Sequence, residues 1–133
     1  MAHRIQAVNA YRPRIERGNT VQKPEWLRSA SRSTSLVEGT IDLSIKELRD
    51  QILEYCRAGR AVKVEGLGIW TPNIALDGKL SIHYRADPSF AYGLNLPGVF
   101  SGKIQNRDNI GKTPDDLVGI WNEANPNDPV AAS

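Results

Sequence analysis

Residues 57–70 of the chain read RAGRAVKVEGLGIW, and this stretch decides the fold. It begins where a helical pattern ends near Gly59, and it continues with valines that alternate with charged residues, which is the period of a β-strand. Gly66 and Gly68 then allow the backbone to reverse tightly, because glycine has no Cβ atom to be strained there. The stretch joins a helix to an antiparallel sheet and therefore predicts an α+β fold.

A long amphipathic helix is predicted before this stretch. Ser35 and Glu38 are spaced as a capping box, in which each side chain satisfies a free backbone N–H at the helix start. Apolar residues then recur every three or four positions over roughly 20 residues, which predicts one apolar stripe. The stripe includes Ile41, Ile45, Leu48 and Ile52. Because a single copy of so small a domain buries little, we expect this stripe to form the core of an intertwined homodimer.

The rest of this domain is predicted from shorter signals. A first helix is expected from Pro24 to about Arg32, since proline is tolerated in the first helical turn. Strands are expected at residues 62–65, 69–76 and 80–85. The dipeptide Asp77-Gly78 predicts the hairpin between the last two strands. Pro72 predicts that one side of the middle strand lacks a hydrogen-bonded neighbour.

Charge is distributed unevenly along the chain. The first 36 residues carry a net charge of +5 and the remainder −3, which suits a basic arm against phosphates or a solvated, disordered N-terminus. Arg12, Arg14 and Arg17 are the candidate contacts in such an arm. Alternatively, residues 11–15 add an edge strand to the dimer.

Three regions follow from these patterns. Residues 1–19 form a basic extension, residues 20–95 form the α+β domain, and residues 96–133 form a polar tail. Thr113 and Pro114 predict a short helix near residues 114–124 in the tail, since they suit its cap and first position. Its apolar residues are expected to pack back on the core, with a motif for a partner as the alternative.

The helix-to-sheet stretch resembles the HU/IHF family of bacterial DNA-binding proteins, in which a glycine-rich G-R-x-V-x-L-x-G-F-G-x-F segment occupies this place. The matching residues are Gly59, Arg60, Val62, Gly66 and Gly68. The basic lead-in resembles the divergent HU-like proteins of the Bacteroidetes group, which carry an extension before the first helix. The resemblance implies two helices followed by a small antiparallel sheet, an intertwined dimer, and double-stranded DNA as the partner.

One departure from the family changes the expected mechanism. The resemblance implies a long β-arm whose Asn-Pro tip wedges into the minor groove and kinks DNA. Here Asp77-Gly78 closes the hairpin directly. We therefore expect contacts to phosphates, made by basic residues on or beside the strands, with an ordinary solvated sheet face as the alternative. These residues are Arg60, Lys63, Lys79, His83 and Arg85.

Other classes of function have little support in the sequence. Cys56 is the only cysteine and the two histidines lie far apart, so a metal site and a cofactor are not expected. No catalytic motif is present, and no apolar run predicts a membrane span or a secretory signal. The expectation is a non-enzymatic, sequence-tolerant DNA-binding protein of the cytoplasmic nucleoid, without a small-molecule substrate. The alternatives are an HU-like assembly module that has lost DNA binding and, more weakly, a small-ligand sensor.

Overall fold

The sequence contains segments with the period of a helix and segments with the period of a strand, and they form a mixed α+β fold. The structure is a computed structural model and describes residues 1–131. The elements are α1 (Arg4–Tyr11), β1 (Arg14–Glu16), α2 (Lys23–Thr34), α3 (Glu38–Arg57), β2 (Val62–Val64), β3 (Gly68–Ile74), β4 (Leu80–Ala86), α4 (Pro88–Leu94), β5 (Lys103–Gln105), a 3-10 helix (Arg107–Asn109) and α5 (Pro114–Ala124). They divide into two units. The central unit is Thr20–Phe100, and the terminal unit is Met1–Asn19 with the described residues from Ser101 onward.

In the central unit, α2 packs on α3, and α3 packs on a three-stranded antiparallel sheet of order β2-β3-β4. Strand β2 pairs only with the first three residues of β3. Pro72 of β3 therefore has a strand partner on the β4 side alone, where it faces Ile82, and the prediction made from Pro72 is confirmed. Ile52 and Cys56 of α3 are the buried side chains of this unit, all of which is described.

The start of α3 differs from the prediction. The capping box predicted for Ser35 and Glu38 is wrong. Ser35 instead has a φ of 61° and ends α2 in the left-handed conformation, while Val37 is the N-cap of α3. The hydroxyl of Ser31 donates a 2.6 Å hydrogen bond to the carbonyl of Leu36, which stabilises this connection. An N-cap residue has an extended backbone, so Ser35 in the left-handed conformation does not cap α3.

Helix α4 was not predicted. The carboxylate of Asp87 accepts hydrogen bonds from the backbone N–H and the hydroxyl of Ser89, and Pro88 occupies the first helical position. An aspartate cap followed by proline is a common helix start, and it can be recognised from the sequence.

The terminal unit is built from both ends of the chain. Helices α1 and α5 pack together around the buried Ala7 and Leu117, and β1 pairs antiparallel with β5. Thr113 and Asp116 form a true capping box at the start of α5. The extension is thus a helix and a strand rather than a disordered N-terminus, and the tail helix packs on that extension.

Candidate nucleic-acid interface

The sheet of the central unit has two chemically different faces, because successive residues of a strand point to opposite sides. One face carries Lys63, Ile69 and Arg85 in a single row across the three strands. His83 lies in the neighbouring row, opposite Thr71. Lys63 and Arg85 are two strand spacings apart, or about 10 Å. The alternation in the sequence predicts this shared face, and the register places the three basic side chains on it.

These three side chains are exposed, and none of them forms an ion pair within 4.0 Å among residues 1–131. Asp87 is an acidic residue that senses the charge of this face. Its pKa is lowered chiefly by the hydrogen bonds from Ser89, and the positive charge of Lys63 lowers it further. The face therefore presents cations that the described residues compensate only in part.

The remaining two candidates of this unit lie at its periphery. Lys79 lies in the β3–β4 turn, where its backbone N–H donates a 2.9 Å hydrogen bond to Asp77. The guanidinium of Arg60 lies 5.4 Å from the ring centroid of Tyr55, in a cation–π contact at the end of α3. Arg60 is therefore held beside the helix by an aromatic ring.

The opposite face of the sheet is apolar. Its cross-strand pairs are Trp70 with Tyr84, Pro72 with Ile82, and Ile74 with Leu80. The rings of Trp70 and Tyr84 are 4.7 Å apart, and the Tyr84 hydroxyl donates a 2.6 Å hydrogen bond to the carbonyl of Leu67.

Helix α3 covers this apolar face only in part. An open groove of about 640 Å³ lies between the helix and the face, lined by Ile45, Leu48 and Ile52 from the helix. Beyond the helix, Ile74 is 69% exposed and Leu80 is 74% exposed. Of the predicted dimer core, Ile52 is buried, Ile41 and Leu48 are half-buried, and Ile45 is 48% exposed. The stripe thus borders an apolar surface that lacks a full cover within the central unit.

Arg12, Arg14 and Arg17 belong to the terminal unit and are exposed there. The structure brings them close to Lys103 and Arg107 in the pairing of β1 with β5. Those two basic residues are not among the contacts that the sequence predicts. The only available signal was the short run of alternating residues around Ile104, which gives no indication of its partner strand.

Helices among residues 1–131 are all too short or too polar to cross a membrane. Comparison of the chain with protein-family models, with curated proteins and with solved structures gave no match.

Proposed function

We propose that this protein is a non-enzymatic, sequence-tolerant DNA-binding protein of the HU/IHF-like kind, which acts as a homodimer in the cytoplasmic nucleoid. The observation that carries the proposal is the two-faced sheet of the central unit. Its one face exposes Lys63, His83 and Arg85, and its other face exposes a continuous apolar surface. The element order of two helices, three antiparallel strands and a helix supports the same family.

The apolar face supports self-association. Exposed apolar surface of this extent is uncommon on soluble monomers and is typical of interaction surfaces. A second copy would supply the same α3 stripe and the same apolar face in return, as a two-fold symmetric interface requires. Burial of Ile45, Ile74 and Leu80 would then complete a core that one copy leaves open.

The basic face supports binding to phosphates. Lysine and arginine side chains that contact phosphates release condensed counterions, so such binding weakens steeply as salt rises. The turn between β3 and β4 is tight, with the Ala75 N–H donating to the Lys79 carbonyl at 2.9 Å. A turn of this length offers no wedge to insert between bases, so the proposed mode is contact with the backbone rather than kinking.

A salt titration tests the proposal. A labelled mixed-sequence duplex is titrated with the protein at several salt concentrations, and log K is plotted against log salt. The wild type is expected to bind at low salt with a negative slope, and Lys63→Ala with Arg85→Ala is expected to reduce the slope by up to about two. The matched control, Arg28→Ala with Arg32→Ala, removes the same charge from exposed positions of α2 and should leave the slope unchanged. Absence of duplex binding at low salt would overturn the proposal.

The second candidate is an HU-like assembly module without DNA affinity. The exposed apolar side chains of α4, Phe90 at 50% and Tyr92 at 74%, favour it, because they offer a further surface for protein contact. A stable dimer that binds no duplex at any salt concentration would identify this function in place of the first.

A further inference from the structure

Segments near the two ends of the chain pair through β1 and β5, and with their flanking residues they form what is called here the basic ribbon, residues 12–17 and 103–112. Arg14 faces Gln105 and Glu16 faces Lys103 on one side of the ribbon, while Ile15 faces Ile104 on the other. The segments are fixed beyond the strands as well. The side-chain amide of Asn106 donates to the carbonyls of Ala10 and Arg12 at 3.2 and 3.1 Å.

A second amide fixes the same connection. The side chain of Asn109, at the end of the 3-10 helix, donates a 2.7 Å hydrogen bond to the carbonyl of Tyr11. The loop that carries Arg107 is thus tied to the segment that carries Arg12. Cations held in this way lose less conformational entropy on binding a partner than cations on a free arm.

Charge is segregated within the terminal unit. The ribbon holds six basic and two acidic residues, a net charge of +4. The basic residues are Arg12, Arg14, Arg17, Lys103, Arg107 and Lys112. All six are exposed, and none lies within 4.0 Å of a carboxylate in the described chain. The remaining described residues of the unit, which include α1 and α5, carry a net charge of −3.

We infer that this basic ribbon is a second contact surface for double-stranded DNA, which binds the phosphate backbone through side chains from both ends of the chain. The inference rests on the proposed function and adds Lys103, Arg107 and Lys112 to the interface. A two-stranded ribbon fits within a groove or along the backbone of a duplex. The ribbon sequences, RPRIER and KIQNRDNIGK, contain no aromatic residue. They therefore lack the stacking platform that single-stranded nucleic acid requires, which favours the duplex.

The test is a salt titration of the full chain against a mixed-sequence duplex. The variant Lys103→Gln with Arg107→Gln removes two cations contributed by the tail, and it should reduce the slope of log K against log salt by about 1.8. The control is Arg4→Gln, which removes one cation from the same unit, so its slope is compared with half of the change expected for the double variant. Arg4 lies on the acidic helix pair, 2.6 Å from Asp115, so its loss should leave the slope unchanged.

A chemical readout keeps the test independent of the folding of the variants. Acetylation of the wild-type lysines is measured with and without saturating duplex. Lys103 and Lys112 should be protected at least several-fold, whereas Lys46, which is paired with Asp42 on α3, should not. A ribbon variant with the wild-type slope, or unprotected ribbon lysines, would overturn the inference.

The possible failures are distinguishable. If the wild type binds no duplex, the proposed function fails and the ribbon inference fails with it. If the wild type binds and only the Lys63 and Arg85 variant changes the slope, the ribbon inference alone fails. The wild type could also bind single-stranded DNA more tightly than the duplex. If the ribbon variant loses this preference, the choice of the duplex as partner is overturned.

Discussion

Gly68 lies where the structure leaves no room for a side chain. Its φ is +142°, and a Cβ atom built there would lie against the carbonyl oxygen of Arg85 and 2.9 Å from the Tyr84 ring. Gly68→Ala is expected to lower the free energy of unfolding by about 2 kcal/mol or more, from backbone strain and the clash together. Urea denaturation measures this loss.

The control for Gly68 is Gly39→Ala in the first turn of α3, where open space surrounds the added methyl group. Alanine favours the helix over glycine by up to about 1 kcal/mol, so this variant should be as stable as the wild type or more so. Equal stability of the two variants would show that the close approach of β3 to β4 at Gly68 is not required.

The second prediction at the scale of residues concerns Asp42, whose carboxylate joins α2 to α3. Its two carboxylate oxygens lie 2.8 Å from the Lys23 ammonium and 3.0 Å from the Lys46 ammonium. Hydrogen bonds from Lys23 and then Lys46 lower the pKa of Asp42 below its ordinary value. A lowered pKa in the folded state means that the carboxylate stabilises the fold above the unfolded pKa of about 3.9. That contribution is lost as the pH falls through the lower, folded-state pKa.

An NMR titration of the Asp42 carboxyl carbon checks this direction. Lys23→Gln should raise the pKa of Asp42, and Lys23→Gln with Lys46→Gln should raise it further. Asp42→Asn should also flatten the dependence of stability on pH below about pH 4. An Asp42 pKa that neither lysine variant moves would contradict the pairing seen between the helices.

At the scale of elements, most local signals could be interpreted from the sequence, apart from the starts of α3 and α4, whereas distant pairings could not. The hairpin of β3 and β4 follows from alternation and from Asp77-Gly78, all within one short stretch. The pairing of β1 with β5 has no such signal, because the two strands lie far apart in the sequence. The hydrogen bond between Asn106 and Arg12, for example, joins residues 94 positions apart. The same reasoning applies to the candidate site. The basic face of the sheet was predictable, whereas the contribution of Lys103 and Arg107 to a surface shared with Arg12 was not.

The prediction at the scale of elements concerns the packing of α5 on α1. Leu117 is 4% exposed, between these helices, and truncation of such a residue costs about 2–5 kcal/mol. Leu117→Ala should therefore unfold the extension and the tail together. The indole N–H of Trp121, which donates a 2.8 Å hydrogen bond to the Asp128 carbonyl, reports the loss as a shifted NMR resonance.

Ile5→Ala is the matched control for Leu117→Ala, because Ile5 lies on α1 in the same unit and is 71% exposed. It should leave the Trp121 resonance in place and change stability by less than about 1 kcal/mol. If Leu117→Ala disturbs only the tail while α1 keeps its protection from hydrogen exchange, the two ends do not fold as one unit.

At the scale of the whole molecule, the central unit leaves apolar side chains of α3 and of the sheet exposed. A core in which Ile52 and Cys56 are the buried side chains of an 81-residue unit is small for a stable monomer. Association of two copies would bury the groove and the outer half of the sheet. Stability should then rise with protein concentration, since the dimer is favoured by mass action.

Two substitutions on α3 test this association. Ile45 lines the groove, so Ile45→Glu would place a charge in the proposed interface and should raise the dimer dissociation constant roughly 100-fold or more. Leu43 lies two residues earlier, about 200° around the helix, and is 69% exposed. Leu43→Glu adds the same charge and should leave the molar mass, measured by sedimentation at several concentrations, at that of the wild type. If both variants retain the wild-type mass, or if both lose it equally, the stripe of Ile41, Ile45, Leu48 and Ile52 is not the surface through which two copies associate.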